Sequence, residues 1–138
     1  MSLTGSCLCG ACTFTAEEAS GGGGACHCGM CRKWTGGIFL SVDCGTSVKF
    51  ADGAPKGSYK GSEWGERIFC KECGSSLLWQ MQDGTNQHVS IQCFEDPSQF
   101  ALGIELFIDR KPSNYALAGE RNKMTQAEVE AIFAGDAQ

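Results

Sequence analysis

Basic residues are scarce in this chain: 11 Lys and Arg stand against 16 Asp and Glu, for a formal net charge of −5. Affinity for a phosphate backbone rests largely on Lys and Arg neutralising phosphates, so the balance argues against a nucleic-acid partner. No apolar run reaches the roughly 18 residues that a membrane-spanning helix needs, and no membrane partner is expected. The opening Met-Ser-Leu-Thr-Gly-Ser has no basic region leading into an apolar stretch, so it does not read as a secretory signal. Aromatics make up only 9% of 138 residues, whereas 19 residues are glycine. That profile suits short strands joined by many turns better than a helical bundle.

What the chain does have is cysteine. Ten occur, and without an export signal they point to a reducing cytoplasmic setting where thiols stay free for metal; a disulfide framework is the alternative. Seven fall into three close-spaced groups: Cys7-x-Cys9, Cys26-x-Cys28-x-x-Cys31, and Cys70-x-x-Cys73 followed by Gly74. Two pairs can close a four-thiolate tetrahedron, the structural kind of zinc site. A triplet leaves one position open, the kind that does chemistry. The expectation is two zinc ions per chain, one structural on Cys7, Cys9, Cys70 and Cys73, and one catalytic in type on Cys26, Cys28 and Cys31. The fourth ligand of the triplet is open between water, a substrate thiol, Cys44, Cys93 and a histidine.

His27 lies between two ligands in an alternating segment and is expected to point away from the metal. His88 reads as a half-exposed strand residue. Cys12 repeats the spacing of Cys31 but begins a strand, where a cysteine serves as a small buried apolar residue; Cys44 and Cys93 are read the same way. Arg32 and Lys33 directly follow the triplet. They either offset the negative charge of three thiolates on a divalent ion or attract a carboxylate of the ligand.

Strand-like segments at 11–15, 38–42, 47–50, 67–69, 76–81, 89–92 and 104–108, with turn pairs such as Asp52-Gly53 and Asp83-Gly84 between them, argue for a mainly β fold. The glycine-rich stretch 20–24 reads as a loop tip or a hinge beside the triplet. One helix is expected over about 125–134, from the capping box Thr125 to Glu128 and the apolar positions Val129, Ile132 and Phe133, with Gly135 as its stop. It would pack an apolar face on the sheets. The whole chain, 1–138, reads as one domain with a core over about 3–118.

The runs Gly5-Ser6-Cys7-Leu8-Cys9-Gly10, Cys26-His27-Cys28-Gly29-Met30-Cys31-Arg32-Lys33-Trp34-Thr35-Gly36 and Arg67-Ile68-Phe69-Cys70-Lys71-Glu72-Cys73-Gly74-Ser75 resemble the glutathione-dependent formaldehyde-activating enzyme family, also called the Gfa or CENP-V-like zinc domain. The resemblance covers roughly residues 3–118. It implies packed, twisted antiparallel sheets of the Mss4-like (β-tent) class around a structural zinc. It also implies a carbon–sulfur lyase that joins glutathione to formaldehyde or a related electrophile at the open three-cysteine zinc. Cys12 departs from the pattern, standing where the family has an apolar residue such as Val. Two rivals are a non-catalytic zinc module for a protein partner, with a protein ligand closing the triplet, and a thiol-redox or zinc-handling protein using Cys12, Cys44 and Cys93.

Overall fold

The computed structural model describes residues 2–19 and 22–136. Among these residues, eleven strands form two sheets. A small antiparallel sheet contains β1 (Ser2–Ser6), β2 (Thr13–Glu17) and β5 (Lys49–Phe50) in the order β1-β2-β5. The large sheet holds β3 (Gly23–Cys26), β4 (Phe39–Asp43), β6 (Lys56–Tyr59), β7 (Gly65–Cys70), β8 (Ser76–Met81), β9 (His88–Ser90), β10 (Leu102–Leu106) and β11 (Asn122–Met124). Its order is β11-β10-β3-β4-β9-β8-β7-β6. The expected mainly β architecture is present, with one difference: β10 runs parallel to both β3 and β11, so the large sheet is mixed rather than antiparallel.

The principal core lies where the two sheets meet. Leu3, Phe14 and Ala16 from the small sheet pack with Val42, Ile68, Leu77, Leu78 and Val89 from the large one. Phe14 stacks edge-on to Phe94 at 6.0 Å and tilts against Phe50 at 5.3 Å. Its ring lies directly over Gly5, where a Cβ would come within 2.3 Å of Phe14 Cζ. The glycine is therefore required by space. Gly5→Ala is expected to destabilise by about 1–3 kcal/mol through overpacking. A urea midpoint lowered at unchanged slope would show it, and an unchanged midpoint would count against this packing.

The glycine-rich stretch is corrected by β3. Ser20 and Gly21 lie outside the described residues, but Gly23 and Gly24 form a strand between β4 and β10. A Cβ on Gly23 would lie 2.8 Å from Ser41 O, and one on Gly24 would lie 3.0 Å from Ile104 Cγ2. The lack of side chains, read in sequence as a loop or hinge, here admits close approach of neighbouring strands.

Among the described residues two α-helices accompany the sheets. The short α1 (Gly29–Thr35) was not expected. The C-terminal α2 (Gln126–Asp136) begins as the capping box requires: Thr125 N–H donates to Glu128 Oε1 at 3.0 Å, and Glu128 N–H donates to Thr125 Oγ1 at 3.3 Å. It continues through Gly135. Of its expected apolar face Val129 is buried and Ile132 is exposed; the side chain of Phe133 lies outside the described residues. Among the described residues no helix is long and apolar enough to cross a membrane.

Candidate metal centres and active site

Two tight turns bring the first four cysteines together. Cys7 and Cys9 follow β1, and Cys70 and Cys73 lie on the turn between β7 and β8. Each turn closes on a glycine in the left-handed region, Gly10 at φ 82 and Gly74 at φ 80, and a Cβ there would meet nothing within 4 Å. The requirement is therefore conformational, not spatial. Gly74 N–H donates to Cys70 O at 2.8 Å, and Leu8 N–H donates across to Ser75 Oγ at 3.0 Å, locking one turn against the other.

The four Sγ atoms lie within 4.8 Å of one another. Cys7 to Cys9 is 3.6 Å and Cys9 to Cys70 is 3.9 Å. A tetrahedron with zinc–sulfur bonds of about 2.3 Å has sulfurs roughly 3.8 Å apart, so the donor set fits. Backbone Cys12 N–H donates to Cys7 Sγ at 3.3 Å. Hydrogen bonds led by the Ser75 hydroxyl lower the Cys73 thiol to about 5. Both favour thiolate, the ligating form. Cys12 itself is fully buried and outside the four-sulfur group, as its strand position suggested.

The triplet gathers where β3 runs into α1. Cys28 is the N-cap of α1, and its sulfur accepts Cys31 N–H at 3.3 Å. Gly36 at φ 82 ends the helix after less than two turns. Cys26, Cys28 and Cys31 place their sulfurs within 4.8 Å of one another, and no fourth His, Cys, Asp or Glu among the described residues joins them. The three thiols shift one another. The Cys26 contact, followed by that of Cys31, pulls Cys28 down to about 2, and the Cys28 sulfur pushes Cys26 up. One negative charge is thus held by the cluster at the expense of its neighbours, a competition that a divalent cation removes.

The cation beside these sulfurs is Arg67 of β7, which sequence reasoning missed. Its Nη1 donates to Cys31 Sγ at 3.6 Å, its guanidinium lies 5.1 Å from the Trp34 ring centroid, and the residue is buried. The available signal was an arginine inside the apolar strand Arg67-Ile68-Phe69. Arg32 lies against the triplet loop, with Nε donating to His27 O at 2.9 Å, and Lys33 is exposed.

His27 faces away from the triplet, as its alternation implied, and is fully buried. Nε2 meets Glu105 Oε1 at 2.7 Å and Nδ1 meets Tyr115 Oη at 2.9 Å. The second oxygen of Glu105 accepts Arg121 Nη1 at 2.8 Å. This chain of partners holds the residue between two triplet cysteines onto β10.

A cavity of about 100 Å³ lies over the triplet, with all three cysteines in its wall together with Arg67, His88 and mainly apolar side chains. Neither Arg32 nor Lys33 lines it. His88 is half-buried and stacks at 5.9 Å on Trp79; desolvation lowers its pKa against the opposing charge of Asp43. A larger groove of about 860 Å³ runs along β1 and is lined by hydroxyls, apolar side chains such as Trp34, Phe39 and Phe94, and the cysteines Cys7 and Cys93, but by none of the triplet. Size does not decide between them. The smaller cavity is the one that meets the open sulfur set.

The profile of the glutathione-dependent formaldehyde-activating enzymes matches residues 2–110, which include all seven clustered cysteines. The chain belongs to that family. A protein of Schizosaccharomyces pombe described as an uncharacterised lyase is 30% identical over 126 residues, covering 91% of this chain and 92% of its own. A crystal structure of a Rhodobacter sphaeroides protein superposes with a TM-score of 0.58 at 21% identity, covering 67% of this chain and 88% of that one, and so shares the fold. Membership of the formaldehyde-activating family places an enzyme of the lyase kind on this scaffold, with two cysteine groups suited to metal.

Proposed function

We propose that the protein is a zinc-dependent carbon–sulfur lyase that makes and breaks the bond between a thiol, glutathione in the family's description, and formaldehyde or a related electrophile. Cys7, Cys9, Cys70 and Cys73 would hold a structural zinc, and Cys26, Cys28 and Cys31 a catalytic one. The observation that carries this reading is the contrast between them: four sulfurs close one group, whereas three sulfurs in the wall of a cavity leave the other a position facing it.

A zinc ion bound to the triplet supplies Lewis acidity, which favours thiolate over thiol and polarises a carbonyl. The chain's own residues arrange what surrounds it. Arg67 and the Cys31 N–H stabilise negative charge on the ligating sulfurs. The apolar wall excludes water, strengthening each electrostatic contact inside. Arg32 and Lys33 offer positive charge beside the triplet loop for a carboxylate of the thiol carrier. In the forward step the thiol sulfur bonds to the carbonyl carbon, the π pair moves to oxygen, and the proton lost by sulfur ends on that oxygen. The lyase direction reverses each move.

The rivals fare less well against the geometry. A binding module requires a protein ligand closing the triplet, and none of the described His, Cys, Asp or Glu residues does so. A redox role requires accessible spare thiols; Cys12 and Cys44 are buried, and Cys93 is half-buried rather than buried as read in sequence, leaving a single partly accessible spare thiol among the three.

The test is magnetisation exchange between free formaldehyde and S-hydroxymethylglutathione by NMR, which reads turnover above the spontaneous reaction. The zinc-loaded protein should accelerate exchange and Cys31→Ser should abolish the acceleration. No acceleration by the wild type would overturn the reading. Combined Arg32→Ala and Lys33→Ala should weaken glutathione binding by calorimetry about tenfold, the loss of one charge-assisted contact. Unchanged affinity would remove these two residues from the ligand site.

A further inference from the structure

The cavity over the triplet is poorly matched to formaldehyde. Its apolar walls include Phe39, Trp64, Trp79, Leu106, Phe107 and Val129, and its charged or hydroxyl-bearing lining residues are Ser41, Arg67 and His88 beside the three cysteines. A one-carbon carbonyl would leave most of that apolar surface unused. Nor can so small a space hold a tripeptide. A volume of about 100 Å³ is somewhat below that of a cavity known to accept benzene, and so fits an alkyl group of roughly three to five carbons.

The walls are built with evident constraint. Phe107 ends β10 in the left-handed region, at φ 57 and ψ 45, a conformation costly for a bulky residue. Trp79 lies across Gly65, where a Cβ would come within 2.7 Å of its Nε1. Val129 comes from α2, beyond the residues that the family profile matches, and is 3% exposed. The helix is held there at its first turn by Gln126 N–H donating to Asp109 Oδ1 at 2.9 Å, in addition to its own cap.

Resting on the lyase reading above, we infer that the electrophile is a short-chain aliphatic aldehyde whose carbon chain fills this cavity, and that Val129 sets the accepted chain length. The reaction is the same addition: sulfur bonds to the aldehyde carbon, the π pair goes to oxygen, and the thiol proton follows it, giving a hemithioacetal. Burial of each methylene favours the longer chain by about fourfold until the cavity is full.

Two measurements test this. In the first, ethanethiol, propanethiol, butanethiol and hexanethiol are titrated into the zinc-loaded protein and followed by tryptophan fluorescence, since Trp64 and Trp79 wall the cavity. Affinity should rise by about fourfold per methylene to butanethiol and rise no further at hexanethiol; affinity independent of chain length overturns the inference whether or not the protein catalyses anything. In the second, kcat/KM is compared for formaldehyde, propanal and 2-methylpropanal with one thiol. The larger aldehydes should be favoured at least tenfold. Val129→Phe should reverse that ratio, and Val129→Ala should move the optimum to longer chains. A merely structural role for Val129 would lower all three aldehydes together and leave the ratio unchanged, which would overturn its assignment. If no aldehyde is turned over, the lyase reading fails and the thiol series alone decides the cavity.

Discussion

Cys70→Ser is expected to remove one zinc per chain and to lower the melting temperature by about 10 °C or more, since a metal clip contributes several kcal/mol of folding free energy. Cys70 is fully buried at the end of β7, and Cys9, 61 residues earlier in the chain, lies 3.9 Å from it. The proposed ion would therefore join the turn after the first strand of the small sheet to the β7–β8 turn of the large one. Clips closing long loops gain most from the entropy removed from the unfolded chain. Serine keeps the size but is a poor zinc ligand, and the three remaining thiolates would be left around an incomplete site. Elemental analysis with calorimetric melting reads both effects. Cys31→Ser is the control: it should also remove one zinc, but with a smaller loss of stability, because the triplet cysteines lie close together in sequence and staple nothing distant. Equal losses from the two variants would refute the division into a structural and a catalytic site.

The grouping of the sulfurs was legible because cysteine pairs on tight turns are local patterns. Gly10 and Gly74 mark the turns, and nothing distant is needed to bring each pair together. The elements that escaped notice are those whose cause is not local. β6 is an edge strand of Lys-Gly-Ser-Tyr that exists through its pairing with β7. β3 is a strand of glycines whose reason lies in its neighbours. α1 is only seven residues long, and its N-cap is a cysteine rather than one of the residues that mark a helix start in sequence. The same holds at the site. Cys26, Cys28 and Cys31 announce themselves by spacing, whereas Arg67 is 36 residues from the sulfur it meets and Val129 about a hundred from the triplet. α2 is expected from sequence only to pack an apolar face on the sheets. Its valine forms part of the cavity wall, a role that depends on where the helix docks and that no property of its own sequence reveals.

Glu105→Ala should cost about 3 kcal/mol, because it empties a buried position that partners both the buried His27 ring and the half-buried Arg121 guanidinium. Glu105 is buried beneath the triplet loop, with one oxygen on His27 and the other on Arg121. His27 is the residue between two proposed ligands, so the carboxylate fixes their backbone from behind. Loss of such outer partners typically weakens metal binding 10–100-fold. Chelator competition should accordingly find one zinc weakened by that factor and the other unchanged. Glu105→Gln keeps the hydrogen-bonding shape without the charge and should fall between Ala and wild type. The pH dependence has a definite sign. Burial raises the carboxyl pKa, but the bonds from Arg121 and His27 outweigh it and leave the pKa lowered. A lowered carboxylate contributes stability above its unfolded value, about 4.3, and loses it as pH falls through the folded one. The stability difference between wild type and Glu105→Gln should therefore be constant from pH 7 to about pH 5 and close below about pH 4. Denaturation midpoints across that range read it directly. A difference that widens in acid would mean that the carboxylate is not held by these partners, and that His27 keeps its place by packing alone.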